Sequence, residues 1–102
     1  MKFLIGRIYE AITGTAAPSI PSVRRAIGAG APCEANLRAW RDGRRLPSER
    51  DVFYLLAMAD KKDPTFSRDY NVQIRDAWWV EASRRARMFG ARFPDAVVEE
   101  AQ

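Results

Sequence analysis

The sequence holds no histidine and one cysteine, Cys33, in 102 residues. The first absence removes the commonest general acid/base and the commonest transition-metal ligand. The second excludes an intramolecular disulfide and a cysteine-based zinc site. Carboxylates remain, but the 13 Asp and Glu residues are scattered and no pair stands apart. No nucleophile–base pair, phosphate-cradling loop or metal-ligand cluster is spaced for chemistry, so neither a cofactor nor an enzyme is expected. Long apolar runs are missing as well. In the opening MKFLIGRIYEAITG, Phe3-Leu4-Ile5 is interrupted by Arg7 and then Glu10, too soon for a signal-peptide core or a membrane span. The reading is a cytoplasmic protein with its thiol reduced and no membrane partner.

Lysine is also scarce. Of 17 basic residues only Lys2, Lys61 and Lys62 are lysine, and the rest are arginine. Residues 1–50 carry nine basic and four acidic residues, whereas residues 51–102 carry eight and nine. The net charge of +4 therefore resides in the first half. An arginine-rich basic half suits phosphate and base-edge contacts, because the guanidinium fork matches both geometries. A solvated basic surface without a partner is the plainer explanation, and position along the chain has to decide between them. With 47 % apolar residues there is material for one modest core.

No stretch shows sustained strand alternation, so the fold class read from the sequence is all-α, a compact bundle of about five helices. The first helix is predicted over Phe3–Thr13, with Leu4, Ile5, Ile8 and Ile12 as its apolar stripe and Gly14 as its stop. Pro18 and Pro21 hold the next segment in a loop. A second helix, capped by Ser19 or Ser22, runs to about Ile27 with Val23, Ala26 and Ile27 inward. Gly28-Ala29-Gly30 breaks it, and Pro32 opens a third helix over 32–42, with Leu37 and Trp40 as core and Gly43 as C-terminal cap. Cys33 is read as a small buried or capping residue rather than a reactive thiol. Ser48 with Asp51 resembles a capping box ahead of a fourth helix ending near Ala59, whose VFYLLAMA run marks it as the central core helix. A fifth, long helix spans about Ser67–Phe89 with Tyr70, Ile74, Trp78 and Ala82 at steps of four. The organisation predicted is a body over 1–63, a C-terminal helix segment over 64–92 packing on it, and a flexible tail over 93–102.

The informative stretch is residues 20–59, two short helices about a glycine-bearing turn, the plan of a helix-turn-helix. LRAWRDGRRLPS followed by a Leu/Ala-rich helix resembles the lambda-repressor and Cro class of helix-turn-helix regulators. The match is carried by Leu37, Trp40, Gly43, Arg44, Arg45 and Pro47, and the likeness extends over roughly residues 3–60. Two departures stand out. Gly28 and Gly30 lie twelve and ten residues before Trp40, with Pro32 inside the turn, where the class has one glycine about nine residues before its aromatic. Either the turn is lengthened or the third helix begins later. The glutamine usual at the start of the first motif helix is absent.

The resemblance implies a sequence-specific transcriptional regulator, a repressor of phage or mobile-element type in a bacterial cell, bound to double-stranded DNA as a homodimer. By position it places Glu34, Ala35, Asn36 and Arg38 on the groove-facing side of the third helix. Arg38 suits guanine, Asn36 adenine, and Glu34 can accept from cytosine. Arg41, Arg44 and Arg45 stand where phosphate contacts set register, and the helix start at Ser22 is a further phosphate candidate.

In the C-terminal third, Trp78 and Trp79 point about 100° apart on one helix and cannot share one core face. Trp78 is assigned to the body. Trp79, with Arg75 and Phe89, is assigned to a partner interface, since exposed tryptophan and arginine make interface hot spots. The alternative function is a protein-binding module on the same fold, such as a phage inhibitor of a host protein or an antitoxin.

Overall fold

The computed structural model describes residues 1–88, and five helices account for them: α1 (Lys2–Thr13), α2 (Ile20–Ile27), α3 (Glu34–Asp42), α4 (Glu49–Lys62) and α5 (Phe66–Met88). The fold is all-α with a long C-terminal helix, and no strand occurs among the described residues. Phe89 and the expected tail, 93–102, lie outside the described residues.

α1 is the axis of the body. Leu4, Ile5, Ile8, Tyr9 and Ile12 all lie in its buried stripe, and α2, α3 and α4 pack around it. Each fully buried Ile or Leu contributes about 1.5–3 kcal/mol relative to exposure. Gly14 ends the helix at φ 73, a left-handed position where glycine has no Cβ penalty. The Tyr9 hydroxyl is buried and donates to the Leu37 carbonyl at 2.8 Å, tying α1 to the middle of α3. Burial pushes the Tyr9 pKa up, so the hydroxyl stays a donor at any ordinary pH.

α2 starts earlier than Ser22. The Ser19 hydroxyl accepts from the Ser22 amide at 3.3 Å, and Pro21 sits in the first turn, where its missing N–H costs nothing. Its inward side is Ile20 and Val23 with Ile27 half-buried against the core, while Ala26, expected inward, is exposed. The α2–α3 connection occupies residues 28–33, longer than the three or four residues of a compact turn. Gly28 and Gly30 both take positive φ, and the Ala31 amide donates to the Gly28 carbonyl at 3.2 Å. Pro32 consequently ends in the connector rather than in the helix, and α3 begins at Glu34, not at 32. Cys33 occupies the N-cap position but is exposed and caps nothing with its side chain, which corrects the reading of it as a buried or capping residue.

Gly43 closes α3 at φ 79, and an added Cβ there would also lie 3.2 Å from Lys2 Cδ. Ser48 and Asp51 form the capping box in full, with Asp51 doing the work of the usual glutamate. α4 runs three residues past Ala59, so the connection to α5 shrinks to residues 63–65. Asp60 then caps the neighbouring helix. Its carboxylate accepts from the Ser67 amide at 2.9 Å and the Ser67 hydroxyl at 2.6 Å, placing negative charge at the N-terminus of α5.

α5 packs on α4 and buries Phe66 and Ile74, with Tyr70, Ala77 and Trp78 half-buried around them. Trp78 turns inward and its indole N–H donates to the Pro47 carbonyl at 2.7 Å. Trp79 turns out and is 57 % exposed, as the angular offset of neighbouring helical residues requires. No described helix is long and apolar enough to cross a membrane.

Candidate nucleic-acid interface

α3 is amphipathic. Leu37, Ala39 and Trp40 are buried against α1 and α2, which leaves Ala35, Arg38 and Asp42 outward. Those outward residues recur at three and four positions, the spacing of one helical face. Arg38 therefore stands on the exposed face of α3. Glu34 and Asn36 are half-buried on its flanks rather than at its crest.

Asn36 and Arg45 are brought together: Arg45 Nη1 donates to Asn36 Oδ1 at 3.2 Å. The connector that follows α3 thus folds back along the helix, and a loop arginine shares a surface with a helix residue nine positions earlier. A base contact by Asn36 would have to exchange this bond. Arg41 and Arg44 converge instead on Asp42, at 3.6 and 3.4 Å. Arg44 and Arg45 are exposed and Arg41 is half-buried, so these ion pairs sit in water and add little to stability. A phosphate can displace Asp42 from either arginine at small cost.

Ser22 lies elsewhere. It shares a shallow crevice with Thr13, Thr15, Arg25 and Ala26 at the end of α1. Its amide and hydroxyl are both engaged by Ser19, the hydroxyls 2.8 Å apart, and Pro21 has no N–H. The start of α2 consequently keeps few amides for an anion. Arg24 and Arg25, exposed in the last turn of α2, were passed over in the sequence reading. Their adjacency in a helix with only Ile20 and Val23 buried was the available signal.

A second surface lies between α4 and α5. Phe53, Glu49, Arg75 and Trp79 line a groove of about 290 Å³ floored by Leu56 and Ile74. The structure brings Arg75 and Trp79 together there, and adds Phe53, which is 54 % exposed. Phe53 was hidden in the VFYLLAMA run. Val52, Leu55, Leu56 and Ala59 fill the inward stripe of α4, and Phe53 falls about 100° away from Val52.

The connector between α3 and α4 is held from behind. Arg85 Nη2 donates to the Gly43 carbonyl at 3.0 Å while Arg85 Nε donates to Glu81 at 2.9 Å. Arg84 also donates to Glu81, at 2.6 Å. The Arg84 hydrogen bond, followed by that of Arg85, holds the Glu81 carboxyl down at about 2 in spite of partial burial. Among the described residues, no group of His, Cys, Asp and Glu is placed to hold a metal ion. Comparison with known proteins finds no matching family model, no matching curated protein and no matching solved structure, so the likeness to the lambda-repressor class rests on the residues quoted above.

Proposed function

We propose that the chain is a sequence-specific DNA-binding transcriptional regulator, a repressor of phage or mobile-element type that places α3 in the major groove and binds as a dimer. One observation carries the reading. The long helix α5 packs on α4, and Arg38 on α3 is exposed, as are Arg44 and Arg45 in the connector that follows. Arg38 is assigned to base reading with Glu34 and Asn36 at its sides, and Arg41, Arg44 and Arg45 to phosphates. The Arg45–Asn36 bond supports this, since it sets a phosphate-binding arginine against the reading helix. No catalytic role is proposed for any residue.

The test is selection of bound duplexes from a randomised pool, then fluorescence anisotropy with the enriched duplex across a salt series. Enrichment of one motif, affinity that falls steeply with salt, and loss of motif preference in Arg38→Ala support the reading. No enrichment at low salt would reject it.

A second reading, a protein-binding module, is favoured by the α4–α5 groove, where Phe53 and Trp79 are both more than half exposed. Such a pair of aromatic rings is also where a second copy of the chain would dock. Sedimentation of the wild type against Trp79→Ala distinguishes a dimer contact from a site for another protein.

A further inference from the structure

We propose that α5 clasps the arginine-bearing connector, with Trp78 and Arg85 as positioning residues that hold Arg44 and Arg45 in register with α3. The inference rests on the DNA-binding reading for its purpose, but the clasp itself stands on geometry.

The chain leaves α3 at Gly43 and enters the α4 cap at Ser48. Both carbonyls that bracket the arginines are held from α5: Gly43 by Arg85 Nη2 at 3.0 Å and Pro47 by Trp78 Nε1 at 2.7 Å. Only Arg44, Arg45 and Leu46 lie between the anchors. Trp78 and Arg85 are seven residues apart, two turns along one face of α5, about 10.5 Å of rise. The four-residue step from Gly43 to Pro47 can reach at most about 14 Å when extended. The anchor spacing lies within the reach of the connector, so both anchors hold at once while the chain bends at Arg44 and Arg45.

The sides of the connector then divide. Pro47 is fully buried and Leu46 half-buried, whereas Arg44 and Arg45 are exposed. The amides of Arg44 and Arg45 donate inward to the Ala39 carbonyl at 2.9 and 3.3 Å, which closes the remaining freedom of the backbone. Glu81 stands between the anchors on α5 and fixes the Arg85 guanidinium through its Nε. α3 itself packs on α1 and α2. The effect of the clasp is to order two arginines before they meet a ligand. Ordering beforehand removes that entropy cost from the binding step.

The test uses the full chain with Trp78→Phe, which keeps an aromatic ring and removes the donor, and Arg85→Gln as an independent second variant. Amide exchange is read at Arg44, Arg45 and Leu46 without DNA, with Ile8 and Leu55 as controls for global stability. Anisotropy is read with the selected duplex. The clasp predicts exchange at 44–46 several-fold faster with the control amides unchanged, and binding roughly tenfold weaker. It also predicts that Trp78→Phe costs little further affinity once Arg44 and Arg45 are both alanine, which a purely structural defect would not spare. Unchanged exchange at 44–46 in both variants overturns the clasp. Faster exchange with unchanged affinity overturns the positioning role. Should no duplex be selected by the wild type, the DNA reading fails by itself, and the exchange data alone decide whether the connector is clasped.

Discussion

Tyr9→Phe isolates one bond that sets α3 on the body. The ring is buried to within 1 % of full and Phe conserves that burial, so the apolar contribution cancels between the two proteins. What changes is the hydroxyl and its 2.8 Å bond to the Leu37 carbonyl, across 28 residues. A typical intramolecular hydrogen bond nets about 0.5–1.5 kcal/mol, and an acceptor left wholly unsatisfied costs about 1–3 kcal/mol. Leu37 lies mid-helix, where its carbonyl faces the amide four residues on, so the larger penalty does not apply in full. The expected loss is about 1 kcal/mol, with Tm lowered by roughly 4–8 °C for a domain of this size. Urea unfolding followed by tryptophan fluorescence and by far-ultraviolet circular dichroism measures it, and an unchanged m-value shows that the same surface unfolds. A Tyr9→Phe protein as stable as the wild type would refute the argument, because desolvation of the hydroxyl would then equal the bond. A loss above about 3 kcal/mol would refute it in the other direction, since only a displaced ring could cost that much.

Other perturbations test the remaining parts. Asp51→Ala removes half of the α4 capping box and is expected to cost about 1 kcal/mol by thermal denaturation. Ile74→Ala, at a buried contact of α5, is expected to cost about 2–4 kcal/mol, seen as earlier loss of tryptophan fluorescence on denaturation. Glu81 has its carboxyl lowered from 4.5 to about 2 in the folded chain, so its contribution is complete above pH 4.5 and fades as pH falls toward 2. An acid titration of stability should show that slope in the wild type and a shallower one in Glu81→Gln. Arg44→Ala should lower the slope of log affinity against log salt by roughly 1 on the selected duplex, the change for one lost phosphate contact.

Much of the helical frame was legible because its signals are local. Gly14 and Gly43 announce left-handed stops, Ser48 and Asp51 announce a cap, and the α1 stripe repeats at helical spacing. Each depends on residues within one or two turns, so it survives the absence of a tertiary context. The opposed fates of Trp78 and Trp79 follow from the same local geometry. Boundaries were less legible where two local rules competed. Pro32 suits a first helical turn, yet the positive φ of Gly28 and Gly30 places it in the connector and starts α3 at Glu34. Ser19 and Ser22 both suit a cap, and the hydrogen bond between them assigns the cap to Ser19.

The order of residues therefore specifies the helices, most of their stops, and the apolar faces that must be covered. Which face covers which is set by the packing of distant helices. That packing sent α5 to α4 and left Arg38 on α3 exposed, exposed Phe53 beside Trp79, and brought Trp78 and Arg85 onto the carbonyls of the α3–α4 connector. The physical reason is range. Caps and turns are chosen by neighbours in the chain, whereas a donor on residue 85 reaching a carbonyl on residue 43 exists only after the core has brought two distant helices together.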